Sequence, residues 1–162
     1  MADTLRELSK GALHDLEGVF AKLPDDAADP LIEAIVAAKR IVVFGCGREG
    51  LQMRGFAMRL FHMGRDVSVW GDMTTPPVGP GDLLFVSAGP GQLATAQVLV
   101  DIVTVIPAQT MADDRGPSLS VLPMGSLFET AQMIFFELVI LKLRPRFHET
   151  SETMRARHTN LE

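Results

Sequence analysis

Ile41-Val42-Val43-Phe44-Gly45-Cys46-Gly47-Arg48-Glu49-Gly50 is the stretch on which the fold turns. It opens on an unbroken apolar run, rich in β-branched residues and without polar alternation, as a strand buried on both faces of a parallel sheet requires. A glycine loop follows directly. From about 51 to 63 the apolar residues recur at helical spacing, and Gly64 stands where a left-handed residue closes a helix. Strand, glycine turn and helix make the first part of a β-α-β unit, which Val67-Ser68-Val69-Trp70 completes as a second strand.

The same grammar continues downstream. Residues 71–82 hold Pro76, Pro77, Pro80, Gly71, Gly79 and Gly81 and are read as loop. A third strand is expected over 83–87, then a second glycine loop, Ala88-Gly89-Pro90-Gly91, a short helix over 92–100 and a last strand over 102–106. A polar loop spans 107–123, the most apolar helix 127–143, and a short charged helix about 151–157. Upstream, Leu5, Leu8, Leu16, Val19, Phe20 and Leu23 mark an amphipathic helix that Pro24 ends. A second helix over about 31–39 starts after Asp29 as N-cap, with Pro30 in its first turn. Strands alternating with helices in this order predict an α/β fold: one domain over 1–162, a doubly wound parallel sheet with helices on both faces.

Composition bounds the function. The 162 residues are 47% hydrophobic and 22% charged, enough to bury a core without covalent staples. Cys46 is the only cysteine, so no disulfide forms within the chain, and the cytoplasm is the expected compartment. A net charge of −5, with no run of Lys or Arg, argues against nucleic acid or anionic membrane held by a broad positive field. The 127–143 helix is interrupted by Glu129, Glu137 and Lys142, which suits a core helix better than a membrane span. A small anionic ligand in a local pocket remains compatible with the acidic balance.

In such a sheet, ligands collect beyond the carboxyl ends of the strands, where helix N-termini offer unpaired N–H groups. Both glycine loops lie there. Gly45, Gly47 and Gly50 also have the spacing of a dinucleotide loop, but that pattern needs an acid at the end of the next strand, and Asp66 precedes it while Asp72 lies past Gly71. Arg48 offers a phosphate or sugar hydroxyl a permanently charged donor, or else pairs with a nearby acid. Arg59, three turns along the helix, is a second site cation or a surface charge. Glu129, in the first turn of the apolar helix, is either a dipole-stabilised cap or a general base; Glu137 reads as a structural carboxylate. No pair among His14, His62, His148 and His158 has metal-site spacing, so no metal is expected.

Longer matches resemble a known family. Gly45-Cys46-Gly47-Arg48-x-Gly50, Phe56-Ala57-Met58-Arg59-Leu60, Thr74-Thr75-Pro76, Gly81-Asp82-Leu83-Leu84, Pro123-Met124-Gly125-Ser126-Leu127-Phe128-Glu129 and Arg157-His158-x-Asn160-Leu161-Glu162 resemble the SIS (sugar isomerase) domain proteins, within them the 6-phospho-3-hexuloisomerases. That resemblance implies a cofactor-free isomerase interconverting 3-hexulose 6-phosphate and fructose 6-phosphate through an enediol, a step of the ribulose monophosphate pathway. It implies Glu129 as base and His158 as its partner, beside which Gly47, Arg48, Ser87, Gly89, Gly91, Thr95 and Arg59 are the candidate substrate-binding residues of this chain. It also implies a homo-oligomer, tetramer or dimer, in which the terminal His158 enters a neighbour's pocket. The alternatives are a non-catalytic sugar-phosphate-binding SIS domain, an isomerase of a different sugar phosphate, and a nicotinamide-linked reductase.

Two departures qualify the resemblance. The family's phosphate loop reads Ser-Gly-Ser-Gly-Glu-Thr, and here Ala88, Pro90 and Leu93 stand where its hydroxyls belong. Ser87, Thr95 and the N–H groups of Gly89 and Gly91 are left to hold an anion. The family also carries a further helix end, strand and loop between the stretches matching Val100 and Asp101, whereas 88–101 is close to the minimum for a parallel crossover. Losing an interior strand would expose two unpaired edges, so residues missing at that junction are the favoured explanation.

Overall fold

The computed structural model describes residues 4–89, 102–113 and 120–160. Its elements are α1 (Leu5–Phe20), α2 (Asp29–Ala37), β1 (Ile41–Gly45), α3 (Gly47–His62), β2 (Val67–Val69), β3 (Leu83–Ser87), α4 (Ser126–Arg146) and α5 (Ser151–Ala156). The three strands form a parallel sheet in the order β2-β1-β3. Register pairs Ile41 with Val67 and Leu83, and Val43 with Val69 and Phe85. Because side chains alternate along a strand, these six share one face.

That face meets α2, α3 and α4 in one core, where Ile35, Val43, Met53, Leu60, Val139 and Leu143 are fully buried. Burying each large apolar side chain stabilises the fold by roughly 1.5–3 kcal/mol. An aromatic trio fixes the layers: Phe56 of α3 stacks on Phe136 of α4 with centroids 4.4 Å apart, and Phe85 of β3 meets both edge-on at 5.8 Å. Val42, Phe44, Leu84 and Val86 point to the other face, and the helix expected at 92–100 lies outside the described residues.

Sequence and structure agree closely around β1. The strand enters α3 through a contact that only glycines allow, since a Cβ on Gly50 would lie 2.5 Å from the Gly45 carbonyl oxygen. The helix begins at Gly47, earlier than the expected 51, because the glycine loop is itself the first helical turn. Gly64 closes it as expected, at φ 73, with Arg65 N–H donating to the Leu60 carbonyl at 3.0 Å. At α2 the cap is Ala28 rather than Asp29, which is the first helical residue and whose carboxylate instead takes Lys142 Nζ at 2.5 Å.

One expected element is absent. Residues 102–106 form no strand; Val103 and Val105 are 76% and 71% exposed, and the Thr104 hydroxyl donates to the Ala27 carbonyl. β-branched composition favours a strand only where a partner edge is in reach, and among the described residues no strand pairs with this segment. Among the described residues β3 therefore has no strand on its outer edge.

Candidate active site

The entrance to α4 is built from unusual backbone. Met124 and Gly125 adopt successive left-handed conformations, φ 55 and 75, and a Cβ on Gly125 would meet the Met111 amide nitrogen at 2.2 Å. A left-handed methionine is strained. Arg48, from the first turn of α3, holds this corner by donating to the Met124 carbonyl. The same guanidinium donates from Nε to Glu129 Oε1 at 3.2 Å, and its Nη2 forms an ion pair with that oxygen at 3.1 Å. Glu129 is only 14% exposed, whereas Arg48 is 43% exposed. A shielded carboxylate thus faces a cation that solvent and ligands can still reach.

Beside this pair lies a buried polar chain. The Gln132 amide donates to Ser87 Oγ at 2.5 Å, Ser87 donates to Glu49 Oε2 at 2.8 Å, and the Gly89 N–H donates to the same oxygen at 2.8 Å. Glu129 and Gln132 are three residues apart and share one face of α4. Ser87 ends β3, and Gly47, Arg48 and Glu49 begin α3, so the cluster sits beyond the carboxyl ends of neighbouring strands. Glu49 and Gln132 were not among the residues expected here. Their signals were present: an acid in the first turn after the glycine loop, and a lone amide inside an apolar helix.

Gly47, Arg48, Ser87, Gly89 and Glu129 are brought to this one locality, while Gly91 and Thr95 lie outside the described residues. Arg59 and His158 are elsewhere. Arg59 forms a bidentate pair with Glu137, at 2.7 and 2.5 Å, and those hydrogen bonds hold its guanidinium above its ordinary range. Glu137 is eight residues beyond Glu129, about 12 Å along the helix. His158 packs its ring 5.0 Å from that of His62, in a surface cleft of about 300 Å³ that Arg59, Glu137, Arg144 and Arg155 also line. The tail reaches there because Arg157 donates to the His62 carbonyl at 2.9 Å and to Glu149 at 2.8 Å. Within one chain the two expected catalytic residues are therefore apart.

The acids weighed for a dinucleotide site are placed otherwise. Asp66 precedes β2 and pairs with Arg40, and Asp72 pairs with Arg54, each at 3.5 Å. Cys46 is exposed at the N-cap of α3. Among the described residues no group of three or more His, Cys, Asp or Glu side chains is placed to hold a metal ion, and no helix is long and apolar enough to cross a membrane.

Comparison with known proteins gives related chains. A 3-hexulose-6-phosphate isomerase of Bacillus subtilis (strain 168) is 33% identical, over 93% of this chain and 95% of the relative. The enzyme of that name from Methylomonas aminofaciens is 36% identical, over 91% and 94%. A crystal structure from Methanococcus jannaschii, for which a 3-hexulose-6-phosphate isomerase function was inferred, superposes with TM-score 0.75 at 28% identity, covering 98% of both chains. No protein-family model matches.

Proposed function

The chain belongs to the 3-hexulose-6-phosphate isomerase family, and from that premise we propose that it interconverts 3-hexulose 6-phosphate and fructose 6-phosphate. The observation that supports our choice of residues for this chemistry is the Arg48–Glu129 pair beyond the strand ends. In the forward direction Glu129 takes the proton from carbon 2 of the 3-ketose, and the electron pair moves to the carbon 3 carbonyl oxygen, giving a 2,3-enediolate. Passing the hydroxyl proton of oxygen 2 to oxygen 3 and returning the carbon-bound proton to carbon 3, as oxygen 2 becomes the carbonyl, yields the 2-ketose. One carboxylate serves both transfers, because the two carbons are adjacent.

The developing oxyanion needs an aimed donor in a partly dehydrated place. Arg48 supplies it: the guanidinium already spans the Glu129 carboxylate and the Met124 carbonyl, so a small rotation carries an N–H from the base to the substrate oxygen. The anion contacts proposed are Ser87 and Gly89, with Gly47, and further along the sequence Gly91 and Thr95. Arg59 belongs to a second cluster, and its proposed contact with substrate requires that the Glu137 pair open.

His158 shuttles the hydroxyl protons or opens the sugar ring in this scheme, which requires a second copy of the chain. A homo-oligomer whose tail reaches a neighbour's Arg48–Glu129 pair satisfies that requirement, and it is the arrangement we propose. The place of the reaction is after a formaldehyde-fixing aldol addition to ribulose 5-phosphate. Purified protein coupled to a hexulose-phosphate synthase, with formaldehyde and ribulose 5-phosphate, is expected to form fructose 6-phosphate well above the protein-free control. No product from folded protein would overturn the assignment and favour the binding-only domain or another sugar phosphate.

A further inference from the structure

Taking the place of the phosphate subsite from the isomerase reading, we propose that Glu49 is an internal competitor whose carboxylate occupies the anion position there, so that a phosphate binds only by displacing it. Two donors available for an anion at the strand ends, Ser87 Oγ–H and Gly89 N–H, converge on one oxygen, Glu49 Oε2, each at 2.8 Å. Both are thereby satisfied by the protein itself. Glu49 is 9% exposed at the start of α3, so the oxygen that meets both donors belongs to a buried carboxylate.

The loop has no room for both anions. A Cβ on Gly89 would lie 2.5 Å from Glu49 Oε1, which shows how closely the backbone is pressed onto the carboxylate. Like charges at contact distance repel strongly in a partly buried site. The sequence of the loop is consistent with this occupancy, since Ala88, Pro90 and Leu93 offer no hydroxyl to an incoming phosphate. Beneath it, Gln132 holds Ser87 in place, and its own Oε1 is buried without a hydrogen-bond partner.

A purely structural carboxylate predicts the opposite outcome from an internal competitor when it is removed. Binding of inorganic phosphate and of fructose 6-phosphate is measured by calorimetry on the wild type, Glu49→Ala and Glu49→Gln, each shown to be folded by circular dichroism. Removing the charge is expected to tighten both ligands, by at least about tenfold in Glu49→Ala. Glu49→Gln keeps the size and an acceptor for Ser87 and Gly89, so it decides the matter should the alanine variant not fold. Unchanged or weaker binding in folded Glu49→Gln overturns the proposal. Because the readout is equilibrium binding, a wild type that turns over no hexulose phosphate but whose variants gain phosphate affinity removes the isomerase assignment and leaves this one standing.

Discussion

Arg48 and Glu129 meet across 81 positions of chain, and nothing local to either residue announces the other. What was legible was each residue's setting: a cation in a glycine loop after a buried strand, and an acid in the first turn of an apolar helix. Either setting also fits a cap, a surface charge or an ion pair, and the contact joins the two residues without choosing between an ion pair and a site. The Glu49–Ser87–Gln132 chain was illegible for the same reason, its links spanning 38 and 45 positions. Glu129→Gln preserves size and hydrogen bonding while removing the base. Turnover is expected to fall by at least about 100-fold, with the melting temperature little changed; full activity would return Glu129 to a capping role. Arg48→Lys tests the second partner, since an ammonium cannot span the Glu129 carboxylate and the Met124 carbonyl as the planar fork does. A loss of about tenfold or more in kcat, with KM less affected, is expected from steady-state kinetics.

At the scale of elements, β3 and the β1–α3 turn were readable because their causes are local: apolar runs, glycine placement, a left-handed Gly64. The 102–106 segment was misread because a strand is completed by its neighbour, and composition does not report whether that neighbour is within reach. The close approach of β1 and α3 gives a direct test. Gly50→Ala places a methyl against the Gly45 carbonyl, and overpacking of this kind costs about 1–3 kcal/mol. A melting temperature lower by several degrees is expected, together with lost activity, because Arg48 is carried on the same turn. The docking of α5 responds to pH. Hydrogen bonds from Arg157 and then Thr153 hold the Glu149 carboxyl below its ordinary value of 4.5. A depressed folded value means that the stabilisation is complete above about pH 4.5 and is lost as pH falls through the folded value. Arg157→Ala is therefore expected to lower the melting temperature at neutral pH, and the gap to wild type is expected to narrow as pH falls through the folded value, leaving the part owed to the His62 carbonyl; a gap independent of pH would contradict the assigned cause.

Over the whole molecule, the residues needed for the proposed reaction lie in two places, and α4 runs between them. Its inward side carries Phe136, Ile140 and Leu143, yet Ile134, Leu138 and Leu141 repeat at helical spacing on the outside with 37%, 43% and 57% exposure. A helix apolar on both sides is one that a second body covers, and the helix leading to His158 is tied to that same helix by a hydrogen bond from Arg144 to Ser151 Oγ at 3.3 Å. Sedimentation at micromolar concentration is accordingly expected to give a homo-oligomer. Sharing of the site is then tested by two inactive variants: Glu129→Gln, which lacks the base but keeps the tail, and a chain lacking residues 158–162, which keeps the base. If His158 serves the neighbouring subunit, co-expression builds mixed oligomers in which some sites take Glu129 from one chain and His158 from the other. Their activity should then exceed that of either parent by at least about tenfold, given the loss each variant suffers alone. If both groups act within one chain, every site in the mixture lacks one of them and activity stays at the parental level. A monomer with full activity would remove the shared site as well, and would require the tail to fold back from His62 to Glu129 in its own chain.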